Sequence, residues 1–233
     1  MNKDLYEISY ELKKNVRKKV FSIVMFIILL ILIINLILQF VIFPVRQKSV
    51  SMEPDIPVSS CIMFSPLIKK INRGSVVLVK PQSDEKLSFL QKVFDSFVMF
   101  FTARQVKPSN IDRWMGNEYQ IRRVIGIPGD TIYMRDYVLY IKPEGENYYL
   151  TEFELIDSSY NINITASPAF WDNEIGVKGS FEEKVLGKDE YFVFGDNRNS
   201  CVDSRFWGAL THDDIEALAF IEYFPFNKIK FFH

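Results

Sequence analysis

The stretch "RRVIGIPGD", Arg122 to Asp130, runs branched apolar residues into a Pro-Gly pair. Branched side chains favour a pleated backbone, and a Pro-Gly pair turns the chain. The stretch therefore reads as a strand ending in a reverse turn. Extended by Ile121, the run "IRRVIGI" (121–127) has relatives on both sides: "SVVLV" (Ser75–Val79), "YVLYI" (Tyr137–Ile141), "EYFVF" (Glu190–Phe194) and "ALAFIEYF" (Ala217–Phe224). All are short and rich in branched or aromatic residues. Turn signals such as "NRG", "PEGEN" and "GDNRNS" bound several of them. That pattern predicts a mainly β domain.

One run differs. In "SFLQKVFDSFVMFF" (Ser88–Phe101), Leu90, Val93, Phe94, Phe97, Val98 and Phe101 recur at three- and four-residue steps. Such spacing predicts an amphipathic helix, resting either on a membrane surface or on the domain core.

The strongest physical signal lies upstream. "VFSIVMFIILLILIINLILQFVIF", Val20 to Phe43, carries no charge. At 1.5 Å per residue it spans roughly 36 Å as a helix, enough to cross a bilayer with some tilt. It is apolar on every face, unlike a core helix, and its exit "FPVRQKS" lacks the small-residue site of a cleavable leader. It reads as a membrane anchor. "KKNVRKK" (Lys13–Lys19) holds five basic residues, against Arg46 and Lys48 just after the span. Positive-inside bias predicts the N-terminus in the cytoplasm and the rest outside it. The expected organisation is a basic cytoplasmic segment (1–19), an anchor (20–43) and an extracytoplasmic β domain (44–233). Asn35 and Gln39 sit four apart on one helix face, tolerable without a partner helix.

The 233-residue chain has a formal net charge of −1. A basic stripe for nucleic acid is not indicated. No cluster has metal-ligand spacing, so neither a metal nor an organic cofactor is implied. Cys61 and Cys201 are compatible with a disulfide in an oxidising compartment, but two well-separated cysteines do not specify one.

Four stretches carry the chemistry. "SVSMEP" (Ser49–Pro54) follows the anchor and places two serines two residues apart beside a rigid proline. "RGSVVLV" (Arg73–Val79), "RRVIGIPGD" and "GDNRNSCVDSRFWG" (Gly195–Gly208) come next in order. Any one alone is an ordinary turn or strand, and Asp203 with Arg205 alone is an ordinary structural pair.

Together they resemble the bacterial type I signal peptidases, whose pattern is S-x-S-M-x-P, R-G-D-x-V-V, K-R-V-I-G-x-P-G-D and G-D-N-R-x-x-S-x-D-S-R-x-W-G. The resemblance runs from the anchor to the C-terminus, with residues 81–118 and 142–186 matching less; the first of these reads as an insertion. It implies a signal-peptidase-type β fold and a serine endopeptidase that removes signal peptides from exported preproteins after small residues. Ser51 takes the nucleophile's position. Ser49 takes that of the hydroxyl completing the oxyanion hole. Asp203, Ser204 and Arg205 are retained as supporting residues. The implied partners are signal peptides and the lipid bilayer.

Two positions depart from the pattern. The family's general-base lysine is Arg122 here, and its orienting serine is Cys201. A guanidinium titrates far above neutral pH, so neutralising it at pH 7 costs roughly 9 kcal/mol. Arg122 is a donor rather than a base. His212, Lys80 and Lys107 are the other candidates, and Cys201 as nucleophile would itself need a base. The alternative to a peptidase is a paralogue that has lost its base and holds signal peptides as an added β-strand.

Overall fold

In this computed structural model, residues 2–80, 119–156, 160–164 and 179–232 are described, with the isolated positions 88, 90, 94 and 98. The expected helix over Ser88–Phe101 lies mostly outside the described residues, as does Lys107. Leu90, Phe94 and Val98 are helical where described.

Helix α1 covers Asn2–Phe40. It contains one run, Lys13–Leu38, long and apolar enough to cross a membrane, none of it buried in the protein. The helix stops before the apolar run does. Pro44 disfavours helical backbone in the residue before it, and Phe43 instead begins a strand with its side chain in the β core. Asn35 satisfies its own amide on the Ile31 carbonyl, 2.9 Å away.

The rest is antiparallel β. The strands are β1 (Phe43–Arg46), β2 (Cys61–Ser65), β3 (Val76–Val79), β4 (Gln120–Gly126), β5 (Thr131–Arg135), β6 (Val138–Lys142), β7 (Leu150–Thr151), β8 (Phe181–Val185), β9 (Glu190–Phe194), β10 (Leu210–Thr211), β11 (Ile215–Phe224) and β12 (Lys230–Phe231). Two short helices, α2 (Glu152–Leu155) and α3 (Ser204–Trp207), complete it. One sheet runs β1-β2-β11-β3-β4-β9-β10, with β12 on β11; the other runs β7-β6-β5-β8. All five runs read as strands from the sequence are strands here.

Strand β3 explains why "VVLV" does not alternate. Val76 and Leu78 enter one apolar cluster with Met52, Ile62, Phe64 and Ile121, while Val77 and Val79 enter another with Val124, Val193 and Leu218. Side chains alternate across a strand, so a continuous apolar run means both faces are covered. Each such side chain contributes about 1.5–3 kcal/mol by leaving water.

Beside these apolar clusters lies a buried ionic link. The fully buried guanidinium of Arg198 donates to both Glu152 oxygens, at 2.8 and 2.6 Å, and Tyr160 Oη donates to the same carboxylate at 2.9 Å. It ties α2 to the loop after β9. Arg198→Met strands a buried carboxylate and is expected to destabilise the protein by about 3–5 kcal/mol. Adding Glu152→Gln should return part of that loss, read by urea unfolding in detergent.

Candidate active site

Ser51 sits on a one-turn 3-10 segment, Val50–Met52, directly after β1. The turn is held from within by Glu53 N–H donating to Val50 O at 3.1 Å and Ile56 N–H to Met52 O at 2.8 Å. Met52 and Ile56 are fully buried and root it in the core. From outside, Asn197 donates its backbone N–H to Ser51 O at 3.0 Å and its side-chain amide to Val50 O at 3.2 Å. The loop after β9 thus grips the serine turn at two carbonyls.

Gly195 makes that approach possible. A Cβ there would lie 2.5 Å from Ser51 O and 2.7 Å from Cys201 Cβ. Both are inside van der Waals contact, so any side chain would push the two loops apart.

The two hydroxyls expected together are together: Ser49 Oγ and Ser51 Oγ are 2.8 Å apart. Gln47, which the sequence reading did not single out, is buried against them. Its Nε2 donates to Ser49 O at 2.8 Å and lies 3.4 Å from each hydroxyl oxygen. In sequence it is an ordinary polar residue four before Ser51, and only its burial marks it.

Arg122 reaches the same hydroxyl from β4. All five of its N–H groups have an acceptor: Nε and one Nη2 hydrogen donate to Val202 O at 3.1 and 2.7 Å, and the other Nη2 hydrogen to Gln120 Oε1. The Nη1 pair donates to Ile121 O at 2.6 Å and to Ser51 Oγ at 3.0 Å. The Trp207 ring lies 5.4 Å from the guanidinium centre. Gln120 shares Arg122's face because residues two apart on a strand do. A lysine has three donors and could not satisfy the same set. The pocket is fitted to arginine, and the partners named are neutral, leaving a buried cation beside Ser51.

Asp203 and Arg205 do not enter this contact. They pair with each other, Nε to Oδ1 and Nη2 to Oδ2, both at 2.8 Å. Asp203 also caps α3 by accepting from Arg205 N at 3.1 Å, and accepts from Gly195 N at 3.2 Å. Ser204 Oγ accepts from Val193 N at 3.0 Å. The trio braces the β9 loop that grips Ser51.

Cys201 and Cys61 are both free thiols, so the disulfide left open by the sequence is not formed. Burial pushes the Cys201 thiol up to about 12, against the pull of the Arg122 cation. Lys80 is used elsewhere: its Nζ donates to Asp213 O at 2.6 Å and pairs with Glu216 at 3.5 Å. His212 packs against the Tyr191 ring at 6.4 Å, beside β10.

An antiparallel β domain thus follows an apolar helix and carries paired serine hydroxyls at its first tight turn. A family model described as "Signal peptidase, peptidase S26" matches residues 20–224, and the chain belongs to that family. It is 27% identical to signal peptidase I P of Bacillus subtilis subsp. natto over 190 residues, covering 79% of this chain and 95% of that one. It is 33% identical to signal peptidase I of Bacillus amyloliquefaciens over 118 residues, covering 49% of this chain and 56% of that protein, little more than half its length. A crystal structure of a signal peptidase I from Enterococcus faecalis V583 aligns with a TM-score of 0.34 and 18% identity, over 65% of this chain and 97% of that one.

A thiol held near 12 has almost no thiolate at pH 8, and the thiolate is the reactive form. Iodoacetamide at that pH is expected to leave Cys201 unmodified in the native protein and to alkylate it after unfolding. Mass mapping reads both outcomes.

Proposed function

We propose that this protein is a signal peptidase I-type serine endopeptidase, anchored by α1 with its N-terminus in the cytoplasm and its β domain outside. It acts on signal peptides of exported preproteins after small residues. The observation carrying this reading is the 2.8 Å contact between Ser49 Oγ and Ser51 Oγ, with Arg122 donating to the same Ser51 oxygen at 3.0 Å.

Ser51 is the nucleophile. Its proton goes to hydroxide, because Arg122 is a donor and, among the described residues, none of the side chains that contact the Ser51 hydroxyl is a base. Arg122 and Ser49 hydrogen-bond the resulting alkoxide, which then attacks the scissile carbonyl carbon. As the tetrahedral oxyanion forms, the Ser49 hydroxyl and the Ser51 N–H take up its charge. The leaving amine draws its proton from water. Hydroxide then cleaves the acyl-enzyme.

This route sets a distinctive pH dependence. Cleavage of a preprotein bearing an A-x-A site, by the full chain in detergent, should climb roughly tenfold per pH unit from about pH 6 to about pH 10, with no plateau from a titrating base. Ser51→Ala should abolish it, and equal cleavage by that variant would sink the proposal. Ser49→Ala removes an oxyanion donor worth about 3 kcal/mol, a loss of about a hundredfold.

A second reading rests on the five occupied donors of Arg122. In it the chain is a paralogue that holds signal peptides as an added strand without cutting them, since backbone pairing needs no base. Retained binding of a signal peptide, with no Ser51-dependent cleavage at any pH, selects this reading over the first. Arg122→Lys with Cys201→Ser should then gain activity only if Gln120 and the Val202 carbonyl tolerate the loss of their donors.

A further inference from the structure

The hydrogen bond between Ser49 Oγ and Ser51 Oγ, 2.8 Å long, has two possible directions. Either hydroxyl can donate, and each direction leaves a different hydrogen available for chemistry. Gln47 decides between them. Its Nε2 faces the Ser49 carbonyl at 2.8 Å, and a carbonyl only accepts, so the NH2 end of the amide is the end turned toward the serines. One amide hydrogen is taken by that carbonyl. The other is shared by the two hydroxyl oxygens, each 3.4 Å from Nε2. Gln47 is 4% exposed, so little water competes for it.

A hydroxyl oxygen has two lone pairs and one hydrogen. At Ser51 Oγ, Arg122 Nη1 at 3.0 Å and Gln47 Nε2 can only donate, and they take the two lone pairs. Among the described residues, Ser49 Oγ is the acceptor left for the Ser51 hydrogen. Ser49 Oγ accepts it together with the shared amide hydrogen, and its own hydrogen is turned away from the pair. Without the amide, Ser51 Oγ keeps a lone pair for Ser49. The reverse order then opens, in which Ser49 donates inward and the Ser51 hydrogen loses its acceptor.

Exposure gives the first order a use. Ser51 is 3% exposed, whereas Ser49 is open to solvent, so hydroxide meets Ser49 first. We propose that Gln47 is a positioning residue that makes Ser51 the donor to Ser49, and that the nucleophile's proton leaves by way of Ser49. Hydroxide takes the Ser49 hydrogen and becomes water while the Ser51 proton crosses to Ser49 Oγ. Ser49 loses one O–H bond and gains another, Ser51 loses one, and the products are water, a neutral Ser49 and a Ser51 alkoxide. The new Ser49 hydrogen faces that alkoxide and stabilises it. This inference rests on the reading of Ser51 as a nucleophile deprotonated by hydroxide.

The test measures kcat and KM for a preprotein bearing an A-x-A site, from about pH 6 to about pH 10, with the full chain in detergent. Gln47→Met keeps the length of the side chain without its donors. It should lower kcat about tenfold or more and leave KM within about twofold. Gln47→Glu puts a carboxylate within reach of both hydroxyls, and a resident base then replaces hydroxide. Its rate should level off above the carboxylate's titration instead of climbing roughly tenfold per pH unit. That profile decides alone should Gln47→Met not fold. Unchanged kcat in Gln47→Met overturns the proposal, and so does a loss confined to KM. A loss in Gln47→Glu by one factor at every pH also overturns it, since a merely structural glutamine gives that result. No Ser51-dependent cleavage by the unaltered chain overturns the serine-peptidase reading and this inference with it.

Discussion

Two consecutive buried guanidiniums on β4 hold the serine turn from opposite faces of one strand. Arg122 reaches Ser51 Oγ, while Arg123 turns the other way and binds Asp196 through two bonds, at 2.8 and 2.6 Å, and Asp55 at 2.7 Å. Asp55 lies four residues after Ser51, and Asp196 begins the loop that grips it. Tyr160 covers the Arg123 guanidinium at 4.1 Å, and Lys230 adds a second cation to Asp55 at 2.7 Å. Burial works against the Arg123 charge, but Asp196 and Asp55 more than offset it, so its net shift is upward. Loss of Arg123 would remove one anchor from each loop at once. Strand alternation lets one short strand do both jobs.

The two arginines differ in what they face. Arg123 meets carboxylates and is a structural cation with its charge answered. The acceptors of Arg122 are neutral oxygens, so part of its field is directed at Ser51. A buried cation with neutral partners favours whatever negative charge develops beside it. The guanidinium is met by a full set of acceptors, including Gln120 and the Val202 carbonyl.

Around this centre, the surrounding loops act as clamps. Asp196 O accepts from Asn163 N–H at 2.9 Å, and Asn163 O from Arg198 N–H at 3.0 Å. Arg198 is itself locked to Glu152, and Pro54 bridges to Ile162. A segment whose sequence resembles the family little therefore fastens both loops of the site. Loops can be precise when their backbone groups are paired on every side.

The sequence by itself determined the mainly β class, the apolar helix and the motif order, because strand composition and a 24-residue uncharged run are local properties. The five runs of branched and aromatic residues became strands. The strands it passed over include "TIYMR" (Thr131–Arg135), whose only charge is its last residue, and "FEEKV" (Phe181–Val185), whose three central residues are all charged. Ser49, Ser51 and Arg122 were singled out by the motif resemblance, and the structure brings their side chains into contact. Only the tertiary structure decided what Arg122 does. Its acceptors come from residues 51, 120, 121 and 202, and no local pattern links position 122 to a carbonyl eighty residues away. The same holds for Glu152 and Asn197. Each is an ordinary polar residue in sequence, and each acquires its partner through long-range packing that buries it and leaves it a hydrogen bond to make.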